Sequence, residues 1–109
     1  MKKIIQLALL LFCSGMMSVS AWSSESLPPQ VVVSIKPIHS LVVGVMEGVA
    51  EPQLLVKGAG SPHGYVLRPS EAQALARADL IIWVGHQLES FLEKPLTTLG
   101  QNAQQLELV

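Results

Sequence analysis

An α/β fold, a parallel sheet flanked by helices, is predicted by three observations. Two runs, Val31-Val32-Val33-Ser34-Ile35 and Leu80-Ile81-Ile82-Trp83-Val84, are almost continuously apolar. Strands that read this way are covered on both faces, as in parallel sheets. Between and after these runs, apolar residues recur at helical spacing. The resulting order is strand, helix, strand, helix, strand, helix, strand, which implies right-handed crossovers with helices lying on the sheet.

The chain opens with Met1-Lys2-Lys3, an apolar run from Ile4 to Phe12 broken by Gln6, and Val19-Ser20-Ala21. A charged start, a short apolar stretch and a small-x-small site describe a secretory signal peptide, residues 1–21. The run is short for a membrane span. Bulky Phe12 before Cys13 argues against a lipoprotein signal, so cleavage is expected after Ala21. Removing residues 1–21 of the 109 leaves 88, with five basic side chains against eight acidic ones and a formal charge of −3. That balance does not suit nucleic-acid binding. Cys13 is lost with the signal, so a metal site in the mature segment must use imidazole and carboxylate.

Residues 22–30, containing Pro28-Pro29, form a flexible lead-in. The first strand, Val31 to Ile35, stops at Lys36-Pro37. Ile38, Leu41, Val42, Val45 and Val49 then describe one helical face, with Gly48 loosening its end and Glu51-Pro52 turning the chain. A second strand runs from Gln53 to Val56. Ser70-Glu71-Ala72-Gln73 has the form of a capping box, opening a helix to about Ala78 with Ala72, Leu75 and Ala76 inside. The third strand spans Leu80 to Val84. Leu88, Phe91 and Leu92 mark a short helical stripe interrupted by Pro95, with a further turn through Leu96 and Leu99. A fourth strand begins near Gln105. The sequence stops on Leu106-Glu107-Leu108-Val109, which reads as mid-strand, so residues 31–109 are expected to be an incomplete lobe.

The stretch with chemical content is Lys57-Gly58-Ala59-Gly60-Ser61-Pro62-His63-Gly64-Tyr65. A strand opening into a glycine-rich loop with a helix behind it is where such sheets present ligand-binding groups. Gly58-Ala59-Gly60 does not complete a dinucleotide fingerprint, because the third glycine would fall on His63. No Gly-Lys-Ser/Thr is present for phosphate. His63 is either a metal ligand or a hydrogen-bonded loop side chain. His39, His63 and His86 follow successive strands, so all three belong to the carboxyl edge of the sheet. His39 reads as a first-turn helix residue and His86 as a surface residue of a turn. Trp83 and Tyr65 read as packing groups. Arg68 is a solvated arginine or the partner of a carboxylate near the loop.

Four motifs then agree. Ser34-Ile35-Lys36-Pro37-Ile38-His39-Ser40-Leu41-Val42, Gly60-Ser61-Pro62-His63-Gly64-Tyr65, Leu67-Arg68-Pro69-Ser70 and Ala78-Asp79-Leu80-Ile81-Ile82-Trp83-Val84-Gly85 occur in this order and spacing. Together they resemble the amino-terminal part of the zinc-binding periplasmic receptors of ABC importers, the ZnuA type. The resemblance covers essentially residues 31–100. It implies part of the amino-terminal lobe of a two-lobed metal receptor, with His63, in the Pro-His-x-Tyr position, as a zinc ligand. Further ligands in that family, histidines and a carboxylate, come from later in a longer chain. Some members carry an acid where this chain has Pro62, so no ligand is carried over to that place. Manganese-binding relatives share Pro-His-x-Tyr; Leu-Arg-Pro-Ser and Trp-Val-Gly look more zinc-like.

The implied role is capture of Zn2+ in the periplasm and delivery to an ABC transporter permease, with no catalysis and no nucleic acid; a monomer is expected. The alternatives are a manganese receptor of the same family, an envelope zinc enzyme, and a secreted α/β interaction module without metal. No nucleophile–base pair or G-x-S-x-G elbow favours an enzyme.

Overall fold

The computed structural model describes residues 25–58 and 61–109. The signal peptide inferred for residues 1–21 lies outside them, as do Ala59 and Gly60. Four strands, β1 (Val31–Val33), β2 (Gln53–Leu54), β3 (Leu80–Trp83) and β4 (Gln104–Glu107), form one parallel sheet in the order β2-β1-β3-β4. Val32 pairs with Gln53 and Ile81, and Ile81 in turn with Gln105. The α/β class and the parallel sheet are as the sequence predicts.

Because alternate residues of a strand point to opposite faces, the sheet carries a core on each side. Val31, Val33 and Ile82 meet Ile38, Val42 and Met46 of helix α1 (Lys36–Val45) and the turn that ends it. Val32, Ile81 and Trp83 face helices α2 (Pro69–Arg77) and α3 (Glu93–Thr98), where Leu75 and Leu96 are buried, and the turn before α3, where Leu92 is buried.

Several element details differ from the sequence reading. The first three strands are shorter, although β2 continues as a ladder: Leu55 N–H donates to Val33 O (2.8 Å) and Val56 N–H to Ser34 O (2.9 Å). In α1 only the row Ile38, Val42, Met46 reaches the sheet. Leu41, Val45 and Val49 remain 69%, 84% and 63% exposed. The apolar face is two rows wide, and among the described residues only one row has a partner. In α2 the inward residues are Glu71, Ala74 and Leu75, whereas Ala76 is exposed. Pro95 lies inside the first turn of α3 and does not interrupt it. Its missing N–H belongs to the donors that a helix start leaves unpaired anyway.

Two glycines meet requirements that other residues would fail. Gly48 has φ +79° in the turn after α1. Gly85 has φ +152°, and a Cβ there would lie 2.9 Å from Val109 O and 3.0 Å from Glu107 Oε1. Its bare backbone lets the β4 end close onto the β3 turn.

Candidate metal-ligand edge

In a parallel sheet the order of strands locates the ligand edge. Here β1 is followed by its neighbour on one side and β3 by its neighbour on the other. The connections therefore diverge between β1 and β3, the switch point where such sheets bind ligands outside the carboxyl ends of their strands.

His63 sits in a 3₁₀ turn, Pro62–Gly64, behind β2. The turn is closed locally: the His63 N–H donates to Ser61 Oγ (3.3 Å) and the Gly64 N–H to Ser61 O (3.4 Å). It packs against a second 3₁₀ turn, Ser90–Leu92, that follows β3. The chain therefore reaches from the β2 edge across to the β3 side, past the switch point.

Tyr65 joins the two turns. Its ring meets Phe91 with centroids 5.3 Å apart and planes at 59°. Its hydroxyl donates to Glu71 Oε1 at 2.6 Å, while Glu71 Oε2 accepts the Arg68 N–H at 2.8 Å. Glu71 is only 4% exposed. A buried carboxylate is tolerated when its oxygens are hydrogen-bonded, and here each oxygen has a donor. The hydrogen bond to Glu71, followed by burial and the Glu71 charge, raises the Tyr65 phenol above its ordinary 10.0, with Arg68 opposing.

Sequence reasoning missed this carboxylate. It assigned the cap to Ser70 and Gln73, whereas the helix begins one residue after Arg68, and Glu71 reaches back to the Arg68 backbone. An acid three residues after the cap position was the available signal. A carboxylate near the loop does meet Arg68, but through the backbone N–H of Arg68.

Glu89 was missed as well. It is fully buried, and its Oε2 accepts the Val84 N–H (2.6 Å) and the Gly85 N–H (3.4 Å), holding the turn after β3. Its Oε1 and Ser34 Oγ, at the ends of β3 and β1, are buried without a hydrogen-bond partner among the described residues.

The three histidines differ in what holds them. The His39 Nε2 is 2.9 Å from Pro52 O, which ties α1 to the start of β2. The His86 Nδ1 is 3.2 Å from Glu107 Oε1, linking the β3 turn to β4 in an exposed pair. The His63 ring is exposed, and among the described residues no hydrogen bond occupies either of its nitrogens. No group of three or more His, Cys, Asp or Glu side chains converges on a metal-sized space among the described residues. Among the described residues His63 is thus a single imidazole without a ring hydrogen bond, and His39 and His86 are not assembled around it. Trp83 is a core residue, as expected.

A cavity of about 470 Å³ opens at the opposite, amino-terminal edge of the sheet, lined by Gln30, Glu51, Gln53, Gln73 and Arg77 among others. None of the histidines lines it. No helix among the described residues is long and apolar enough to cross a membrane.

Residues 31–109 match the protein family described as "Zinc-uptake complex component A periplasmic", ZnuA. The high-affinity zinc uptake system protein ZnuA of Brucella abortus (strain 2308) is 54% identical over 78 residues, which are 72% of this chain and 23% of that protein. The protein of the same name from Yersinia pestis is 45% identical over 74 residues, covering 68% of this chain and 23% of the relative. The chain therefore spans about a quarter of the length of the curated relatives it matches. Among solved structures, the periplasmic zinc binding protein TroA from Treponema pallidum superposes with a TM-score of 0.66 at 26% identity, over 72% of this chain and 28% of that one. The Zn(II)-bound ZnuA-like domain of Streptococcus pneumoniae AdcA gives 0.62 at 20% identity, over 71% and 29% of the two chains, a likeness of fold alone.

Proposed function

Because the chain belongs to the ZnuA family of periplasmic zinc-uptake components, we propose that residues 31–109 form the amino-terminal part of a two-lobed receptor. This receptor captures Zn2+ in the periplasm and passes it to the permease of an ABC importer. Residues 1–21 direct export and are removed. His63 supplies one zinc ligand, the remaining ligands coming from parts of the receptor outside this chain. The receptor is a monomer and not an enzyme: it surrounds the ion with protein ligands, whereas a hydrolytic zinc site keeps a position for activated water.

One observation carries this reading. Of the three histidines that follow strands, His63 alone presents a ring free of intramolecular hydrogen bonds among the described residues, on a turn fixed beside the switch point. A neutral imidazole with an available lone pair is the common zinc donor.

The test is a zinc competition titration against a chelating dye, on the complete receptor chain and on its single variants. Structural zinc binding is worth about 10–16 kcal/mol. One ligand in about four is then worth about 3 kcal/mol, or roughly a hundredfold in affinity. His63→Ala should lose at least that much, and His39→Ala and His86→Ala little. If His63→Ala holds zinc as tightly as the unaltered receptor, His63 is not a ligand.

A further inference from the structure

The buried Glu71 lies in the first turn of α2, and each of its oxygens accepts a hydrogen bond. One oxygen takes the Tyr65 hydroxyl at 2.6 Å and the other the Arg68 N–H at 2.8 Å. What it does is join three pieces of backbone. Through Arg68 it fixes where α2 begins. Through Tyr65 it fixes the residue two positions beyond His63. Tyr65 in turn rests on Phe91, which belongs to the turn behind β3.

Between Lys57 and His63 the described residues show no comparable side-chain hydrogen bond across the fold. Ser61 is exposed, and it holds the His63 N–H only by a local 3.3 Å bond. Gly58 and Gly64 would each meet nothing within 4 Å if they carried a Cβ, so no neighbour crowds either glycine, although the turn itself packs against Ser90–Leu92. Among the described residues, the side-chain hydrogen bonds that tie the His63 turn to the rest of the fold are those at its exit, and they converge on one carboxylate.

We propose that Glu71 is a positioning residue for the zinc ligand His63: by holding Tyr65 and Arg68 on its two oxygens it fixes the imidazole where the remaining ligands can close on the same ion. This rests on the reading of His63 given above. Glu71 does not touch the metal. Its contribution arises because a multidentate site loses affinity when one donor must be ordered at the moment of binding.

The carboxamide of glutamine can preserve the same connections. Its oxygen can accept the Arg68 N–H, and its NH2 can donate to the Tyr65 oxygen, in place of the carboxylate accepting from the phenol. Alanine can preserve neither. Glu71→Ala and Glu71→Gln thus separate the linkage from the charge.

The experiment is zinc affinity by dye competition on the complete receptor for Glu71→Ala, Glu71→Gln, Tyr65→Phe and His63→Ala, each with a thermal melt in the metal-free state. Glu71→Ala should weaken zinc about tenfold or more, and Glu71→Gln should recover most of that loss. Tyr65→Phe keeps the ring on Phe91 and the Arg68 bond but removes the hydroxyl link. It should weaken zinc while the receptor still melts cooperatively, which also covers the case in which Glu71→Ala fails to fold. The proposal is overturned if Tyr65→Phe, or a folded Glu71→Ala, binds zinc as tightly as the unaltered receptor, or if Glu71→Gln fails to recover. His63→Ala discriminates the two levels. Unchanged affinity there removes His63 as a ligand, whereas loss there with none in the Glu71 and Tyr65 variants removes only the positioning role.

Discussion

Gly85→Ala is expected to destabilise this domain strongly, although it adds a single methyl group. Two costs add. The backbone at φ +152° lies where L side chains rarely go, and holding a non-glycine residue in such a region costs about 1–3 kcal/mol. The new Cβ would also sit 2.9 Å from Val109 O and 3.0 Å from Glu107 Oε1. Two of the groups displaced belong to the β4 segment, which is bonded to the β3 end through Leu108 N–H to Trp83 O (3.1 Å) and Val109 N–H to Val84 O (2.9 Å). Overpacking of this kind adds about 1 kcal/mol or more. The sum is about 2–4 kcal/mol, which lowers Tm by about 10–20 °C in a domain of this size. Gly64→Ala is the matched control. Its Cβ meets nothing within 4 Å and its φ is not positive, so it should be neutral or slightly stabilising through the unfolded chain, by less than about 1 kcal/mol. Circular-dichroism melts of both variants measure the difference, and amide exchange at Gln104–Glu107 shows whether β4 is what detaches. Equal Tm values for Gly85→Ala, Gly64→Ala and the unaltered chain would refute the reasoning.

Tyr65 is the sole tyrosine of the chain, so tyrosinate absorbance reports its ionisation directly. Its folded-state pKa is raised above 10.0, so the bond to Glu71 contributes in full below pH 10 and is lost as the pH rises through the raised value. A midpoint at or below 10.0 would contradict the geometry, and Glu71→Ala should bring it back toward 10.0. Mass spectrometry of exported material should find Trp22 as the new amino terminus; an intact Met1, or a lipid on Cys13, would overturn the signal-peptide reading. On α1, Val42 packs on the sheet whereas Val45 is 84% exposed. Val42→Ser should therefore cost about 1–2 kcal/mol in urea unfolding and Val45→Ser less than about 0.5, and equal costs would mean that α1 is turned the other way.

The parts of this molecule that were legible in the sequence are those governed by a period. Val31–Val33 and Leu80–Trp83 are apolar on both faces because helices cover both, and alternation of such runs with helical stripes is enough to fix a parallel sheet. What the period could not decide was which apolar row of α1 has a partner. Leu41 and Val45 are as hydrophobic as Ile38 and Val42, and only the position of the strand ends distinguishes them. The site shows the same division. His63 was legible as a residue type in a loop behind a strand, and the Pro-His-x-Tyr pattern singles it out as the proposed ligand. The support at the exit of its turn was only partly legible: Glu71 stands three residues after Arg68, the spacing of a capping acid, but Ser70 and Gln73 offered a second cap and no pattern shows that Glu71 is buried. It becomes a buried linchpin only when the start of α2, Tyr65 and Phe91 arrive in one place. Carboxylates of this kind are bonded to backbone groups whose location is set by the fold, so their function is read from three dimensions first. Glu89 follows the same rule beneath Val84 and Gly85. The candidate edge is thus marked in the sequence by one histidine, and its turns are held by two acids that the fold brings into place.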